Sequence, residues 1–360
     1  MKKVIFLFIA VLMVFIFYNS VYADWLDKYL DEDYTADNNG EIRIGFLLKT
    51  MQEERYLKDR DAFFEKADEL DVEVIFAAAN NDEQTQLEKL DQMIAKGADV
   101  IVLQPVNTET ASILVDRAHQ ASVPVVNYDS LITNSDVDVF LTQNSWAIGE
   151  LQGEAMVEWF EKHRGRLEGN VVLLRGQPGD SNALAFSQGV LNTINKYPGL
   201  KLVVDQAHEN WSPELAMATT EKALEEYSND IDAVIANNSG MADGAVRALE
   251  AMGHIGTEKV FVAGSDADLT NIRYIVAEKQ NIEIFKKIKP LAYKSVEVAV
   301  ALARNPDSSV EDIIDIDRYV NNGQYDIPTV VTPVVTVHEG NIMETVVAEE
   351  FHSEADIYGQ

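Results

Sequence analysis

Seven polar residues of the chain lie where a buried β-strand is expected to end or to turn into a helix. They are Asp129, Asp180, Asn182, Asn238 and Asp266 after predicted strands, Arg55 near the first strand-to-helix turn, and Lys286 at the end of a late strand. In open α/β proteins, ligands bind in the crevice beyond the carboxyl ends of the strands. Carboxylate, amide and guanidinium groups are planar and present two polar atoms side by side, which matches adjacent hydroxyls of a sugar. The set therefore predicts a site for a small polyhydroxylated ligand.

Several of these residues also have a purely structural interpretation. Asp129 could cap the turn after its strand, and Asp180 lies where a helix N-cap is expected. Asn238 precedes a Ser-Gly pair, a position where asparagine is common in turns. Asp266 and Asp268 form an Asp-x-Asp pair that would suit calcium, although a ligand acceptor followed by a helix cap fits the pattern better. We expect ligand contact to be the main role at the strand ends.

Apolar strand-like segments alternate with helical patterns from Glu41 onward, with a period of roughly 25 to 30 residues. The segments are apolar on both faces, which is typical of buried parallel strands joined by crossover helices. The predicted strands occupy residues 41–48, 72–79, 99–105, 123–130 and 137–144 in the first half, and 170–176, 201–209, 232–238, 259–266 and 281–287 in the second, before an extended tail at 328–337.

These elements predict an α/β protein with parallel sheets. About ten strands exceed what one flavodoxin-like sheet usually contains, so two similar lobes of about 130 residues fit the pattern better. A (β/α)8 barrel is the main alternative, because its length and periodicity are similar.

The composition excludes several classes of function. The chain has 60 acidic and 29 basic residues, a net charge of −31. It therefore lacks the basic surface that nucleic-acid binding requires. The chain has no cysteine, which excludes disulfides, thiolate nucleophiles and zinc ribbons. Its six histidines are scattered and form no HExxH motif, so we expect no metal site and no cofactor. With 47% hydrophobic residues, the chain can bury a substantial core.

The N-terminus has the pattern of an export signal. Lys2 and Lys3 precede an apolar run from Val4 to Tyr18, and Val21-Tyr22-Ala23 gives a small-x-small cleavage pattern. We therefore expect residues 1–23 to be a signal peptide, residues 24–40 to be a flexible acidic leader, and the mature protein to reach the periplasm. An uncleaved membrane anchor is the alternative, but the apolar run is short for a membrane span.

In order and spacing, several segments resemble the periplasmic sugar-binding proteins of ABC importers, of the ribose/galactose type and nearest to those that bind xylose. The resemblance covers residues from about Glu41 to His352. It is carried by IGFLLKTMQEERYLKDRDAF, ANNDEQTQLEKLDQMIAKGADVIVLQP, GELQGEA, GSDADLTNI and EEFHSEA. Each of these segments is weak evidence alone, but together they are specific.

The resemblance implies a periplasmic binding protein of type 1, with two Rossmann-like lobes, three crossovers and a sugar clamped between the lobes. We expect crossovers near 143–145, 280–282 and 328–333. The N-terminal lobe would then comprise residues 41–144 plus 282–328, and the C-terminal lobe residues 145–281 plus 329–352. The implied function is capture of a xylose-like pentose or hexose by hinge closure and delivery to a membrane permease, with a chemoreceptor as a further partner of a monomeric protein.

Carried over by position, the resemblance assigns nine ligand contacts. They are Arg55, Tyr56, Asp129, Asp180, Asn182, Trp211, Asn238, Asp266 and Lys286. Carboxylates would accept from vicinal hydroxyls, and an aromatic ring would pack on the apolar face of the sugar. For Tyr56 and Trp211, a place in the ordinary core is the alternative.

Four positions depart from the family pattern and are candidates for specificity. Ser130 replaces an arginine and Ser239 an acid, whereas Lys49 stands where an acid is usual and Arg175 where glycine is usual. Two added cations and one lost acid would suit an acidic sugar such as a uronate. The same four residues could equally reshape the entrance for a neutral sugar.

Two other functions are open at this stage. The same fold could serve as a sugar sensor that feeds a chemoreceptor or a membrane kinase. A carboxylate-based glycoside-acting enzyme is less favoured, because 60 acidic residues guarantee apparent carboxylate pairs. No GxSxG, P-loop or GxGxxG motif appears, so hydrolase, NTPase and dinucleotide functions find no support.

Overall fold

Two separate sheets form the framework of the protein in the computed structural model, which describes residues 42–359. The first sheet has seven strands in the order β11-β12-β5-β4-β3-β1-β2, and the second has six in the order β13-β10-β9-β8-β6-β7. The strands are β1 Arg43–Leu48, β2 Glu73–Ala78, β3 Val100–Leu103, β4 Val125–Tyr128, β5 Val139–Gln143, β6 Gly169–Arg175, β7 Leu200–Ala207, β8 Ala233–Ala236, β9 Phe261–Ser265, β10 Ile282–Lys286, β11 Arg318–Asn321, β12 Asp326–Thr332 and β13 Val334–Val337.

Helices connect these strands. They are α1 Glu54–Glu69, α2 Glu83–Ala95, α3 Ser112–Gln120, α4 Ser145–Arg164, α5 Ser181–Ile194, α6 Pro213–Glu226, α7 Ser239–Ala251, α8 Leu269–Val276, α9 Ile288–Arg304, α10 Val310–Ile313 and α11 Glu354–Tyr358, with short helical turns at Glu209–Trp211, Glu339–Asn341 and Met343–Val347. The two-lobed α/β architecture predicted from the alternation is confirmed. The two distinct sheets exclude a closed (β/α)8 barrel.

The central strands are parallel and buried along their whole length, as the apolar sequence pattern predicted. Antiparallel pairing occurs at the sheet edges, where β11 pairs with β12 and β13 pairs with β10. The first lobe is the first sheet with α1, α2, α3 and α9. Its two faces carry separate cores, one around Phe46, Phe63 and Val296 and the other around Leu90 and Leu114.

The second lobe is the second sheet with α4 to α8 and the C-terminal segment. Its main core surrounds strands β6, β8 and β9, and a smaller core joins Phe285 and Ile272 to Phe351 and Ile357 near the C-terminus. Helices α4 and α5 approach closely at two glycines. A Cβ atom on Gly149 would lie 1.9 Å from the backbone oxygen of Phe186, so this contact requires glycine.

The chain crosses between the lobes three times, and two of the predicted boundaries need correction. The first crossing, between β5 and α4, lies at the expected place. Strand β10 pairs with β9 and β13 in the second sheet, so the second crossing follows Lys286 and the boundary expected at 282 is too early. Strand β12 pairs with β5 as far as Thr332, so the third crossing lies at Pro333, within the expected range of 328–333, and the lobe boundary placed at 328 is too early.

The boundaries differ because an isolated apolar strand does not reveal which sheet it joins. Only its pairing partners decide that, and for β10 both partners belong to the second lobe. The C-terminal segment also continues beyond 352, since α11 packs on this lobe through Ile357. The expected signal peptide (1–23) and acidic leader (24–40) lie outside the described residues. Among residues 42–359, none of the helices has the length and apolar character needed to cross a membrane.

Candidate functional site

The carboxyl ends of the two sheets face each other across a cleft, and a small cavity lies between them. The first lobe contributes Lys49, Glu53, Arg55, Tyr56 and Asp129 to its lining, and the second contributes Asn182, Phe186, Trp211, Asn238, Asp266 and Lys286. The space left among these side chains is about 10 Å³, enough for roughly one water molecule. A larger ligand therefore requires the lobes to separate and side chains in the lining to move.

Arg55 is the centre of a buried ionic network in the first lobe. Its guanidinium donates to Asp59 from Nε at 3.2 Å and to Asp129 from Nη1 at 3.2 Å. Burial opposes the charge of Arg55, but these two carboxylates outweigh it and raise the pKa of Arg55. Burial raises the pKa of Asp59, which also accepts a hydrogen bond from the Tyr128 hydroxyl. Asp59, which is not part of the cavity lining, therefore holds the Arg55 guanidinium in place.

Asp129 is the acceptor on which groups of both lobes converge. Its Oδ2 accepts from Gln104 Nε2 at 2.9 Å and, across the cleft, from Asn182 Nδ2 at 3.2 Å. Burial works against its charge, but Arg55 and then Lys286 and Lys49 outweigh burial, so the pKa of Asp129 is lowered. Asp129 is therefore a permanently charged acceptor.

Two strand-end aspartates have an unusual backbone. Asp129 follows β4 with φ of 66°, and Asp266 follows β9 with φ of 109°. Non-glycine residues rarely adopt positive φ, and such strain costs about 1–3 kcal/mol and is typical of functional sites. Each lobe thus holds one strained aspartate at the same topological position, with its side chain in the cavity lining.

Lys49 bridges the two lobes. Its Nζ lies 3.0 Å from Asp180 Oδ2, and both side chains are at most 5% exposed. The ammonium also lies 5.2 Å from the ring centroid of Trp211 and 5.7 Å from that of Tyr56. Burial disfavours the charge, but Asp180 and other neighbours outweigh it and raise the pKa of Lys49. Asp180 itself caps α5 by accepting from the Asn182 amide at 2.9 Å, so the N-cap interpretation holds beside the ion pair.

Lys286 and Asn238 complete the polar lining of the second lobe. Lys286 Nζ lies 2.6 Å from Asp266 Oδ1 and 4.9 Å from the Phe186 ring centroid. Asn238 is the N-cap of α7, because its Oδ1 accepts from the Met241 amide at 2.9 Å. As the sequence allowed, Asn238 combines a turn role with a place in the lining.

The two predicted aromatic contacts line the cavity and also belong to the buried cores, Tyr56 in the first lobe and Trp211 in the second. Tyr56 is 2% exposed, and its hydroxyl accepts from Gln104 Nε2 at 3.2 Å. Trp211 has a positive φ of 53° and packs on Gly176, where an added Cβ would lie 2.2 Å from the indole ring. Within the described residues, the Trp211 Nε1 atom is buried without a hydrogen-bond partner.

Three predicted specificity residues lie outside the cavity lining. Arg175 is about a quarter exposed and forms an ion pair with Asp205. Ser130 is buried behind the lining, where its hydroxyl accepts from Asn182 Nδ2 at 3.1 Å. Ser239 donates to Glu283 at 2.8 Å. Of the four departures from the family pattern, only Lys49 reaches the cavity.

Glu283 places a carboxyl group beside Ser239, the position at which the family pattern has an acid. Its carboxyl group also accepts from Gln280 Nε2 at 2.5 Å and from the Ala267 amide at 3.1 Å. Burial raises the pKa of Glu283 to about 8. The neighbouring strand β10 therefore supplies an acidic group at this place.

Glu53 and Phe186 lie in the lining but were not predicted from the sequence. Phe186 lies one helical turn after Asn182 in α5, so their shared face could have indicated it. Glu53 is the N-cap residue of α1 but makes no capping hydrogen bond. It is partly exposed at the cleft edge, yet its carboxyl group is surrounded by protein, and this burial raises its pKa to about 7.

The chemistry of the site suits hydroxyl groups. Charged and amide groups from both lobes line the cavity, with aromatic rings at Tyr56, Phe186 and Trp211. Across residues 42–359 there is no cluster of three or more histidine or acidic side chains that could hold a metal ion. Pairing of Asp266 with Lys286 also argues against calcium at the Asp-x-Asp pair.

Known proteins match the chain over most of its length. Residues 44–307 match the family described as periplasmic binding protein domain. The chain is 35% identical to a D-xylose-binding periplasmic protein of Escherichia coli over 88% of this chain and 93% of that protein. It is also 35% identical to a D-xylose-binding periplasmic protein of Haemophilus influenzae, over 90% of this chain and 94% of that protein.

Solved structures give the same fold. An ABC transporter solute-binding protein of Clostridium phytofermentans with bound β-D-glucose superposes with a TM-score of 0.78, at 24% identity, covering 88% of this chain and 99% of that one. A solute-binding protein of Bacillus halodurans with bound myo-inositol gives a TM-score of 0.73 at 27% identity, covering 87% and 100%. The family match and the 35% identities together show that the chain belongs to the periplasmic sugar-binding proteins of ABC transporters.

Proposed function

We propose that the protein captures one neutral monosaccharide, a xylose-like pentose or a hexose, in the cleft between its lobes and delivers it to an ABC permease from the periplasm. The observation that carries this proposal is the cavity at the facing strand ends, which both lobes line with planar polar groups and aromatic rings. The names of the two D-xylose-binding relatives favour a pentose.

Each part of the lining has a function in this proposal. Asp129 and Asp266 accept hydrogen bonds from vicinal hydroxyls, while Arg55, Asn182, Asn238 and Lys286 donate to sugar oxygens. Tyr56 and Trp211 pack on the C–H faces of the ring. Asp180 and Ser130 act indirectly by holding Lys49 and Asn182. Arg175 and Ser239 have no direct part, since their side chains are engaged elsewhere.

A neutral sugar is favoured over a uronate because the cations of the lining are already paired. Lys49 pairs with Asp180, Arg55 with Asp129 and Asp59, and Lys286 with Asp266. A ligand carboxylate would have to displace one of these carboxylates and would add negative charge beside the others. Such a like-charge contact costs more than a hydroxyl donor in the same place.

Hinge closure is supported by hydrogen bonds that join the lobes around the cavity. Besides the Lys49–Asp180 and Asn182–Asp129 contacts, Thr108 of the first lobe donates to the Gly179 carbonyl of the second at 2.8 Å. These contacts form only when the cleft is closed. A ligand that binds both lobes shifts the equilibrium towards that state, which a permease would then recognise.

The alternatives remain distinguishable by experiment. A sensor would share the sugar site and differ only in its membrane partner, and one relative, of Rhizobium radiobacter, is called a multiple sugar-binding periplasmic receptor. A glycoside-acting enzyme would release a chromophore from a chromogenic glycoside. We expect no such turnover, in keeping with a family of binding proteins.

Isothermal titration calorimetry on the protein from Asp24 onward tests the proposal. The protein is unfolded and refolded to remove bound sugar, then titrated with xylose, glucose, ribose, arabinose, galactose and glucuronate. We expect one-to-one binding of a neutral sugar with a Kd on the order of 1 μM or below. If none of the sugars produces binding heat, the proposal is wrong. If only glucuronate does, the ligand is an acidic sugar and not a neutral one.

A further inference from the structure

Glu53 differs from every other charged side chain in the cavity lining. Across the described residues, its carboxyl group makes no hydrogen bond and has no cation within ion-pair distance. It also leaves the N-terminus of α1 uncapped, although the position is right for a cap. Its side chain lines the cavity instead, so its polar atoms are available to a ligand.

The charges around Glu53 do not balance. The cavity has three cations, Lys49, Arg55 and Lys286, and each already has a carboxylate partner. Four carboxylates take part in those pairs, namely Asp59, Asp129, Asp180 and Asp266. An ionised Glu53 would be a fifth carboxylate with no cation left to compensate it. Enclosing such a charge is costly, and the usual response is protonation.

The surroundings of Glu53 in the closed cleft come from both lobes. Lys49, Arg55 and Tyr56 face it from its own lobe, and Asp266, Asp268 and Lys286 face it from the other. Burial is the largest influence and raises the pKa of Glu53 from 4.5 to about 7, with Asp266 acting in the same direction and the three cations against it. Opening the cleft removes the second lobe and returns the carboxyl group to water.

Resting on the sugar-binding function proposed above, we propose that Glu53 is a ligand contact that enters the closed cleft as a neutral carboxylic acid, so that sugar capture is coupled to uptake of a proton. The protonated carboxyl group donates a hydrogen bond to a sugar oxygen and accepts one from a neighbouring hydroxyl. A protonated Glu53 can therefore donate to one sugar oxygen and accept from another hydroxyl at the same time. The permanently charged Asp129 can only accept.

The sign of the pH dependence follows from the two pKa values. Closure stabilises the protonated form, so its contribution is fully present below 4.5 and is lost as the pH rises towards 7. At pH 6, binding should take up roughly 0.9 proton per sugar, and at pH 8 about 0.1. Sugar affinity should be about tenfold weaker at pH 8 than at pH 6.

Calorimetry in buffers of different ionisation enthalpy counts these protons directly. Xylose, or whichever neutral sugar binds, is titrated into the wild type and Glu53→Gln at pH 6 and pH 8. Glu53→Gln should bind sugar with proton uptake near zero at pH 6 and with equal affinity at both pH values. The substitution breaks no hydrogen bond of the described structure, so the variant is expected to fold.

Glu283→Gln is the matched control, because Glu283 also has a raised pKa but is bonded only within the second lobe. It should take up as many protons on binding as the wild type. Any proton uptake that remains in Glu53→Gln would be assigned to Asp268, because burial raises the pKa of Asp268 as well. Sugar binding with the same proton uptake in the wild type and Glu53→Gln would overturn this inference alone. Failure of every sugar to bind would overturn the proposed function as well.

Discussion

Lys49 of the first lobe and Asp180 of the second form a buried ion pair across the cleft, with 3.0 Å between Nζ and Oδ2. The pair is connected to the rest of the site at both ends. The Lys49 ammonium lies within 6 Å of the Tyr56 and Trp211 rings, and Asp180 caps the helix that carries Asn182. Lys49, whose direct ion-pair partner lies in the other lobe, thus links closure of the cleft to the arrangement of its polar groups.

Lys49→Met should weaken sugar binding. In the closed cleft it leaves Asp180 buried without its cation, and removing one partner of a buried pair costs about 3–5 kcal/mol. Because opening returns Asp180 to water, the cost falls on the closed state. We expect the Kd, measured by calorimetry, to rise by roughly 150-fold or more, with thermal unfolding of the free protein little changed.

The double variant Lys49→Met/Asp180→Asn isolates the ion pair. Removing both charges should recover much of the lost affinity, since no uncompensated carboxylate remains. Arg175→Met is the control, because its pair with Asp205 is partly exposed and lies outside the cavity. An affinity loss from Arg175→Met as large as that from Lys49→Met would contradict the role given to Lys49.

Gly176→Ala should lower affinity through Trp211. The added methyl group would lie 2.2 Å from the indole ring, so the ring must shift out of the cavity wall. Overpacking of this kind costs about 1–3 kcal/mol, which corresponds to a Kd roughly 10- to 100-fold higher if the indole packs on the sugar. Tryptophan fluorescence should report the displaced ring, and calorimetry the affinity.

Gly240→Ala serves as the control for this variant. It lies in α7 close to Asn238, but the nearest atoms to an added Cβ are at 3.4 Å, an ordinary contact. We expect its affinity to match that of the wild type. Equal affinity in Gly176→Ala would mean that Trp211 is a structural residue and not a sugar contact.

Much of the site could be predicted because strand ends are visible in the sequence. Asp129, Asn182, Asn238 and Asp266 each follow an apolar segment, and the parallel arrangement of the strands brings them to one cleft. The crossover after β10 could not be predicted in this way. Its apolar pattern is the same in either lobe, and only its pairing with β9 and β13 assigns it to the second.

Residues whose roles depend on partners far away in the sequence also could not be predicted. Glu53 is one of 60 acidic residues, and nothing in its type or spacing indicates that three cations nearby are already paired. Ser239 and Glu283 are 44 positions apart, so their hydrogen bond could not be foreseen. Arg175 has the right position at a strand end, yet its side chain turns to Asp205 on the neighbouring strand β7.

Lys58 should control how fast the cleft opens. It lies on α1, outside the cavity lining, and donates to the Phe351 carbonyl of the second lobe at 2.5 Å, with its ammonium 4.2 Å from the Phe351 ring centroid. Lys58→Met removes both contacts, together with an ion pair to Glu54 on the same helix, without touching the cavity. Partly exposed contacts of this kind contribute about 1 kcal/mol, so sugar should dissociate roughly fivefold faster in stopped-flow measurements.

Lys66→Met, on the same helix, is the control for the contact between Lys58 and Phe351. Lys66 pairs with Glu69 and Glu297 within the first lobe, so its loss should leave the dissociation rate unchanged. A Lys58→Met protein with the dissociation rate of the wild type would show that this contact does not restrain opening.

Glu283 should make the stability of the fold depend on pH. Burial raises its pKa from 4.5 to about 8, so the folded protein favours the protonated form. The stabilising contribution is fully present below 4.5 and is lost as the pH rises through 8. Glu283→Gln removes the titrating group, but its amide NH2 must meet one of the donors that the two Glu283 oxygens accept from, so the variant is compared by its pH dependence and not by its absolute stability. Urea unfolding should show the wild type losing on the order of 3 kcal/mol between pH 5 and pH 8 that the variant retains. Parallel pH profiles for the two proteins would mean that Glu283 ionises in the folded state as readily as in the unfolded chain.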